Sequence, residues 1–218
     1  MIEEEDYSAR RASMVDYQII GRGISSPLVI EAMRRVPREK FVPRGMIDCA
    51  YEDGPLPIGA GQTISQPYIV ALMTEGLDLE GGERVLDIGT GSGYAAAVLA
   101  CIASRVFSIE RIPELAEHAA ATLAAEGYSN VEVRCGDGTL GWPEEAPFDG
   151  ICVAAGAPTV PEALKSQLAI GGKLVIPVGS EHSVQSLRRI IRISETEFHS
   201  DNFGDVRFVP LLGEEGWS

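Results

Sequence analysis

No run of 18 apolar residues occurs anywhere in the chain, so no segment is long enough to cross a bilayer as a helix. Nor does a basic start lead into an apolar stretch, the pattern of a secretory signal. A cytoplasmic protein without a membrane partner is the expectation. Cysteine is sparse and carries no C-x-x-C spacing: Cys49, Cys101, Cys135 and Cys152 stand apart, and Cys101 and Cys152 fall within apolar runs. Buried thiols in a reducing compartment are expected, with neither disulfides nor a metal site. The three histidines, His118, His182 and His199, are scattered and expected at the surface. Basic charge is short as well. Eighteen Lys and Arg face 32 Asp and Glu, a formal net charge of -14, whereas binding to nucleic acid relies on cations that displace counterions from phosphate. A nucleic-acid partner is therefore not expected.

What the chain does have is a glycine-rich turn after an apolar run, Val85-Leu86-Asp87-Ile88-Gly89-Thr90-Gly91-Ser92-Gly93-Tyr94, resuming as an Ala- and Leu-rich helix. Glycine can take positive φ and lets the backbone approach a ligand, and the first amides and positive dipole end of the helix face the loop. The G-x-G-x-G spacing is not the dinucleotide fingerprint G-x-G-x-x-G, which sets a pyrophosphate on the helix start. With Asp87 leading the loop, a ligand without phosphate fits better, and S-adenosylmethionine is the common one. The competing reading is a turn that merely reverses a strand into a helix. Glu110 ends the next apolar run 21 residues after Gly89, close to the offset of about 20 at which an acid meets ribose hydroxyls. A solvated strand-end acid is the alternative there.

At 218 residues with 45% hydrophobic content, one well-filled α/β domain is expected over 1–218. Within it, 1–76 should hold N-terminal helices and a substrate and cofactor loop, 77–180 the cofactor-binding core, and 181–218 C-terminal strands. Residues 1–6 form an acidic start expected to fray. Helices are expected over 8–20, 26–36 (Ser26 as N-cap, Pro27 in the first turn), 66–75, 113–126 and 161–168. Strands are expected over 84–88, 105–110, 131–135, 150–155 and 173–178, the last after a Gly171-Gly172 turn. Alternation of this kind predicts a doubly wound, mostly parallel Rossmann-like sheet, with antiparallel edge strands over 184–194 and 206–211.

Taken together, the motifs Arg35-Val36-Pro37-Arg38-Glu39-Lys40-Phe41-Val42-Pro43, PLPIGAGQTISQPYIVA over 55–71, the LDIGTGSGY loop, Phe107-Ser108-Ile109-Glu110-Arg111, Gly136-Asp137-Gly138, Ala146-Pro147-Phe148-Asp149 and Leu174-Val175-Ile176-Pro177-Val178-Gly179 resemble the protein-L-isoaspartate O-methyltransferases over about 18–211. The resemblance implies methyl transfer from S-adenosylmethionine to the free α-carboxylate of L-isoaspartyl residues in damaged proteins and peptides, the first step of repair through a succinimide. It also implies that Gln62, Thr63, Ile64, Arg111 and Gly138 join Asp87, Gly89, Gly91, Gly93 and Glu110 around the cofactor. Asp87 stands where bacterial relatives often carry Glu, which keeps the charge, and the tail after Leu211 is less well matched. A monomer is expected.

The residues are consistent with that chemistry. An isoaspartyl link leaves an α-carboxyl with a pKa of about 3.5, already an anion at neutral pH, so no general base is needed and none stands beside the loop. Alignment and a dry pocket would carry the reaction. Ser65 is the candidate catalytic residue, a hydroxyl donor orienting the carboxylate, with helix N-capping as the competing role. Asp137 is assigned to the adenine amino group, against a plain Asx turn; Gln62 and Thr63 could equally be turn formers. The 153–158 segment lacks the Asn/Asp-Pro-Pro-aromatic motif of amino-group methyltransferases, and no acidic cluster suggests a Mg²⁺ site. A small-molecule methyltransferase and a non-catalytic adenosine-ligand binder remain as alternatives.

Overall fold

The computed structural model describes residues 4–180 and 183–218, so His182 lies outside the described residues. Helix α1 (Glu4–Met14) runs into a π turn (Val15–Ile19) and a 3-10 turn (Ile20–Arg22) that ends at Gly23, φ +98°. The helix expected over 8–20 thus begins earlier, and the acidic start is helical from Glu4 on. Helix α2 (Pro27–Arg35) has Ser26 at its N-cap, but the serine side chain bonds nothing there. The Glu75 carboxylate does the capping from afar, accepting the Ser25 and Ser26 N–H groups at 2.7 Å each.

The Gly/Pro-rich segment forms a hairpin, β1 (Leu56–Gly59) paired antiparallel with β2 (Gln62–Ile64). Gly59 pairs with Gln62, leaving Ala60 (φ +50°) and Gly61 (φ +71°) as a two-residue turn. Two positive φ values suit the twist of a tight hairpin but favour Asn or Gly at the first position. An L-residue held there costs about 1 kcal/mol. Ala60→Asn is therefore expected to raise stability by roughly 0.5 to 1 kcal/mol, a Tm gain of about 2 °C; an unchanged or lower melting temperature would count against this turn geometry.

Beyond the hairpin come α3 (Pro67–Gly76), β3 (Arg84–Ile88), α4 (Tyr94–Ala100), β4 (Arg105–Glu110), α5 (Pro113–Ala125), β5 (Val131–Cys135), β6 (Phe148–Val153), α6 (Glu162–Ser166), β7 (Leu168–Val178), β8 (Gln185–Arg192) and β9 (Phe198–Val206). The larger sheet has seven strands in the order β5-β4-β3-β6-β7-β8-β9. From β5 to β7 every pairing is parallel, and β8 and β9 add antiparallel at the far edge. This is the doubly wound sheet expected from the alternation. The central strands β3, β4 and β6 are buried at nearly every position because both faces are covered there. Val85, Val106, Cys152 and Val175 face one cluster with α2, α3 and α4, and Leu86, Ile88, Phe107, Ile151 and Leu174 face the other.

Among the strands, two depart furthest from the sequence reading, while the strand expected over 150–155 is shifted to Phe148–Val153. Strand β7 starts at Leu168 and runs through Gly171-Gly172 instead of beginning after them, so α6 is shorter than 161–168. The last edge strand is Phe198–Val206, not 206–211. Pro210 has no N–H for a ladder, and the segment leaves the sheet edge for the end of β6, where Gly156 N–H donates to the Val209 carbonyl (2.8 Å) and Leu211 N–H to the Gly156 carbonyl (2.8 Å). The chain order reverses between β4-β5 and β6-β7 on either side of β3, and the crevice at the carboxyl ends of such strands is where open α/β sheets bind ligands.

Candidate active site

At that crevice β3 ends in Ile88 and the chain turns through Gly89 (φ +88°), Thr90 and Gly91 (φ +54°) before Gly93 (φ +90°) opens α4. The Glu110 side chain, 6% exposed, binds the turn from the next strand. Its Oε2 accepts the Gly91 N–H (2.8 Å) and its Oε1 the Ile112 N–H (2.9 Å). Two backbone donors fix the carboxylate in one orientation, and each oxygen keeps a lone pair for hydroxyls of a ligand. These groups line a cleft of about 880 Å³, open solvent at its mouth included. The hairpin (Gln62, Thr63, Ile64, Ser65), Tyr94 and Ala95 of α4, Arg111, Gly138, Ala154 and Ala155 after β6, and the Val209-Pro210-Leu211-Leu212 segment complete the wall.

Replacing Glu110 by Gln keeps the shape but loses a charge-assisted acceptor, a bond worth about 1.5 to 3 kcal/mol. S-adenosylhomocysteine affinity, measured by calorimetry, is expected to fall at least about tenfold. A variant altered only in thermal stability would make Glu110 a strut for the turn and nothing more.

Asp87 lies beneath the turn, 0% exposed. Its Oδ2 accepts from the Ser108 hydroxyl (2.6 Å), which in turn is 2.6 Å from Thr90 Oγ1 on the cleft wall; its Oδ1 is buried without a partner. Burial pushes the Asp87 pKa up to about 6 from the ordinary 3.8, with the Ser108 hydrogen bond opposing and the Glu110 charge adding to the rise. Because the folded value exceeds the unfolded one, the folded chain holds a proton that the unfolded chain releases as pH climbs from about 4 to about 6. Stability should decline over that window by on the order of 3 kcal/mol. Asp87→Asn should lose this slope. Denaturant unfolding of both proteins across the window checks it; parallel curves would contradict it.

Of the residues singled out in the sequence, Gln62, Thr63, Ile64, Ser65, Gly89, Gly91, Glu110, Arg111 and Gly138 come together on the cleft wall. A Cβ on Gly138 would lie 2.5 Å from Ile88 Cγ2, so only glycine lets this chain pass close to the ligand space. Asp87, Gly93 and Asp137 stand behind the wall. Gly93 packs toward Leu123 of α5. Asp137, expected at the adenine amino group, is held from within the chain: its Oδ1 accepts from the Thr139 N–H (2.8 Å) and hydroxyl (2.7 Å), and its Oδ2 from the Glu214 N–H (2.8 Å). Burial alone would raise its pKa, but those donors hold it below the usual carboxylate range. It caps a 3-10 turn (Gly138–Leu140) and anchors the C-terminal segment, the Asx alternative in extended form.

Ser65 sits one residue before the N-cap of α3, which is Gln66, so it does not cap that helix. Its hydroxyl has no partner among the described residues, while its carbonyl accepts from Arg38 Nη2 (2.8 Å). Sequence reasoning missed Thr90, Ser92 and Tyr94, which lie within the quoted loop, and the 209–212 wall. For the latter the Pro210-Leu211-Leu212 run in a polar tail was the available signal, read instead as a strand. Ala154 and Ala155 present no polar side chain, which gives a planar nitrogen acceptor nothing to bond there.

The protein-L-isoaspartate(D-aspartate) O-methyltransferase family model matches residues 9–216. The chain belongs to this family. That match takes in every segment that walls the cleft, from the hairpin to residues 209–212. Protein-L-isoaspartate O-methyltransferase 2 of Marinobacter nauticus is 66% identical over 213 residues, covering 98% of this chain and 97% of that protein. Protein-L-isoaspartate O-methyltransferase 1 of Rhodopseudomonas palustris is 61% identical over 212 residues, 97% of this chain and 86% of that protein. Among solved structures, a protein-L-isoaspartate O-methyltransferase superposes with a TM-score of 0.86 at 31% identity over 94% of this chain and 67% of that one. A Plasmodium falciparum protein described as a protein-L-isoaspartate O-methyltransferase, in complex with S-adenosyl-L-homocysteine, gives 0.79 at 28% identity over 92% and 97%. The family's doubly wound sheet, with its antiparallel edge, is thus the one described above.

Proposed function

We propose that this chain esterifies the free α-carboxylate of L-isoaspartyl residues in damaged proteins and peptides, with S-adenosyl-L-methionine as the methyl donor and Ser65 as the residue that orients the acceptor. The observation that carries the reading is the cleft itself: a preoriented Glu110 carboxylate on one wall and an unengaged Ser65 hydroxyl on another, joined by alanine and aliphatic side chains. The residues fit the donor. Glu110 suits ribose hydroxyls, and the buried Asp87 carboxylate, its Oδ1 an orphan and its Oδ2 linked through Ser108 to Thr90, suits a cationic group above the turn. When bound, the donor supplies a methyl group on a positively charged sulfur.

The chain's own part is to bind, to align and to keep water out. An acceptor that is already an anion needs no proton removed, and accordingly no His or Lys among the described residues reaches the wall. A Ser65 hydroxyl that donates to one carboxylate oxygen leaves the other free to face the methyl group, so alignment carries the rate. Ile64, Val70, Ala154, Ala155 and Leu211 exclude water along the way, and a dry site favours a reaction in which an anion and a cation lose their charges. We also propose that the active form is a monomer. We further propose a cytoplasmic protein that does not act on nucleic acid, in line with the net charge of -14 and with the lack, among the described residues, of a helix long and apolar enough to cross a membrane.

The experiment is to incubate the protein with S-adenosylmethionine and a synthetic isoaspartyl peptide and follow the peptide by mass spectrometry. A monomethyl ester that loses methanol to give a succinimide is expected. A peptide recovered unmodified would overturn the reading.

A further inference from the structure

Arg38 heads the fully buried side chains by size and is 0% exposed. Its Nε donates to the Ala50 carbonyl (2.8 Å), its Nη2 to the Ser65 carbonyl (2.8 Å), and its guanidinium lies 4.7 Å from the centre of the Tyr94 ring. Its Nη1 is buried with no partner. Among the described residues no carboxylate pairs with it: neighbouring Glu39 instead accepts from the Tyr51 hydroxyl and faces Arg11 at 3.8 Å. A guanidinium stays charged at neutral pH, and a cation removed from water without an anion is costly. Two carbonyl dipoles and a ring face offset only part of that cost. Ser65 and Tyr94, two of the three groups it touches, form the cleft wall.

We infer that Arg38 is a positioning residue for the acceptor: it fixes the Ser65 main chain, and from behind the wall made by Ser65 and Tyr94 it supplies the positive charge that the acceptor carboxylate meets. The inference rests on the proposed carboxylate acceptor. It follows from the buried cation that lacks an anion: the acceptor carboxylate is one anion the proposed reaction brings to the cleft and the donor's own amino-acid carboxylate is the other, a charge in a water-poor interior acts across several ångströms, and S-adenosylhomocysteine affinity in Arg38→Met tells the two apart. The plainer role is a clamp tying Ala50 to Ser65. A clamp needs donors but has no preference for what charge occupies the cleft.

The two roles separate in binding, without turnover. With S-adenosylhomocysteine present, calorimetry would compare an isoaspartyl peptide bearing its free α-carboxylate with the same peptide as the α-amide, on the native chain, Arg38→Met and Arg38→Lys. The native chain is expected to prefer the carboxylate. Arg38→Met should reduce that preference at least about tenfold while S-adenosylhomocysteine affinity stays near native. Arg38→Lys keeps the charge but loses the planar fork, so it should retain most of the preference even if less stable. An unchanged preference in Arg38→Met, or a folded Arg38→Lys variant that has lost it, would overturn the inference. If Arg38→Met does not fold, the lysine variant decides alone. A native chain that binds both peptides equally would overturn the functional reading, and the inference with it.

Discussion

Ser65→Ala should turn over an isoaspartyl peptide about 10²-fold or more slowly, the scale seen when a positioned donor to a reacting group is removed. Cofactor affinity should barely change. Ser65 lies one residue outside the N-cap of α3 and its hydroxyl bonds to no described residue, so the stability change should stay within about 0.5 kcal/mol. Kinetics, calorimetry with S-adenosylhomocysteine and thermal melting on one preparation separate these quantities. Ser65→Asp sharpens the contrast, because it sets a second negative charge against an anionic acceptor. A folded, cofactor-binding and inactive Ser65→Asp variant is expected; a fully active one would end the role proposed for this hydroxyl.

Gly91→Val should abolish cofactor binding while leaving a folded chain. Gly91 holds φ at +54°, a region that a β-branched residue resists strongly, and its N–H is the one that orients Glu110 Oε2. A Cβ there would lie 3.3 Å from Ile58 Cδ1, at the tip of the hairpin residue packed over the turn. A valine would therefore disturb the turn, the Glu110 carboxylate and the hairpin at once. Circular dichroism close to native with no measurable S-adenosylhomocysteine binding is the expected pair of results, and undiminished affinity would remove this turn from the site.

How much of this was legible in the sequence follows from how local each signal is. The glycine turn and Glu110 were readable because a strand, a turn and the next strand end are fixed by periodicity and short spacing, and the structure joins them by direct hydrogen bonds. The antiparallel edge was foreseen, but the limits of its last strand were not, because the apolar residues of 206–211 that suggest a strand are used to wall the cleft. Asp137 shows the same limit more sharply. G-D-G describes a turn, whereas the partner that takes up its Oδ2 is the backbone of Glu214, 77 residues later, and no pattern near Asp137 announces it. Arg38 lies in a charged run, Arg34 to Lys40, in which nothing local marks one residue as buried, and only the packing of residues 50, 65 and 94 around it turns that charge inward.

The most direct measurement of the central claim is labelled methyl transfer from S-adenosylmethionine to three versions of one peptide: isoaspartyl with a free α-carboxylate, its aspartyl isomer, and the isoaspartyl form with the α-carboxyl amidated. Transfer to the first alone is the expected result, because only it brings an unblocked α-carboxylate to the Ser65 wall. Equal labelling of the aspartyl or amidated peptide would contradict it.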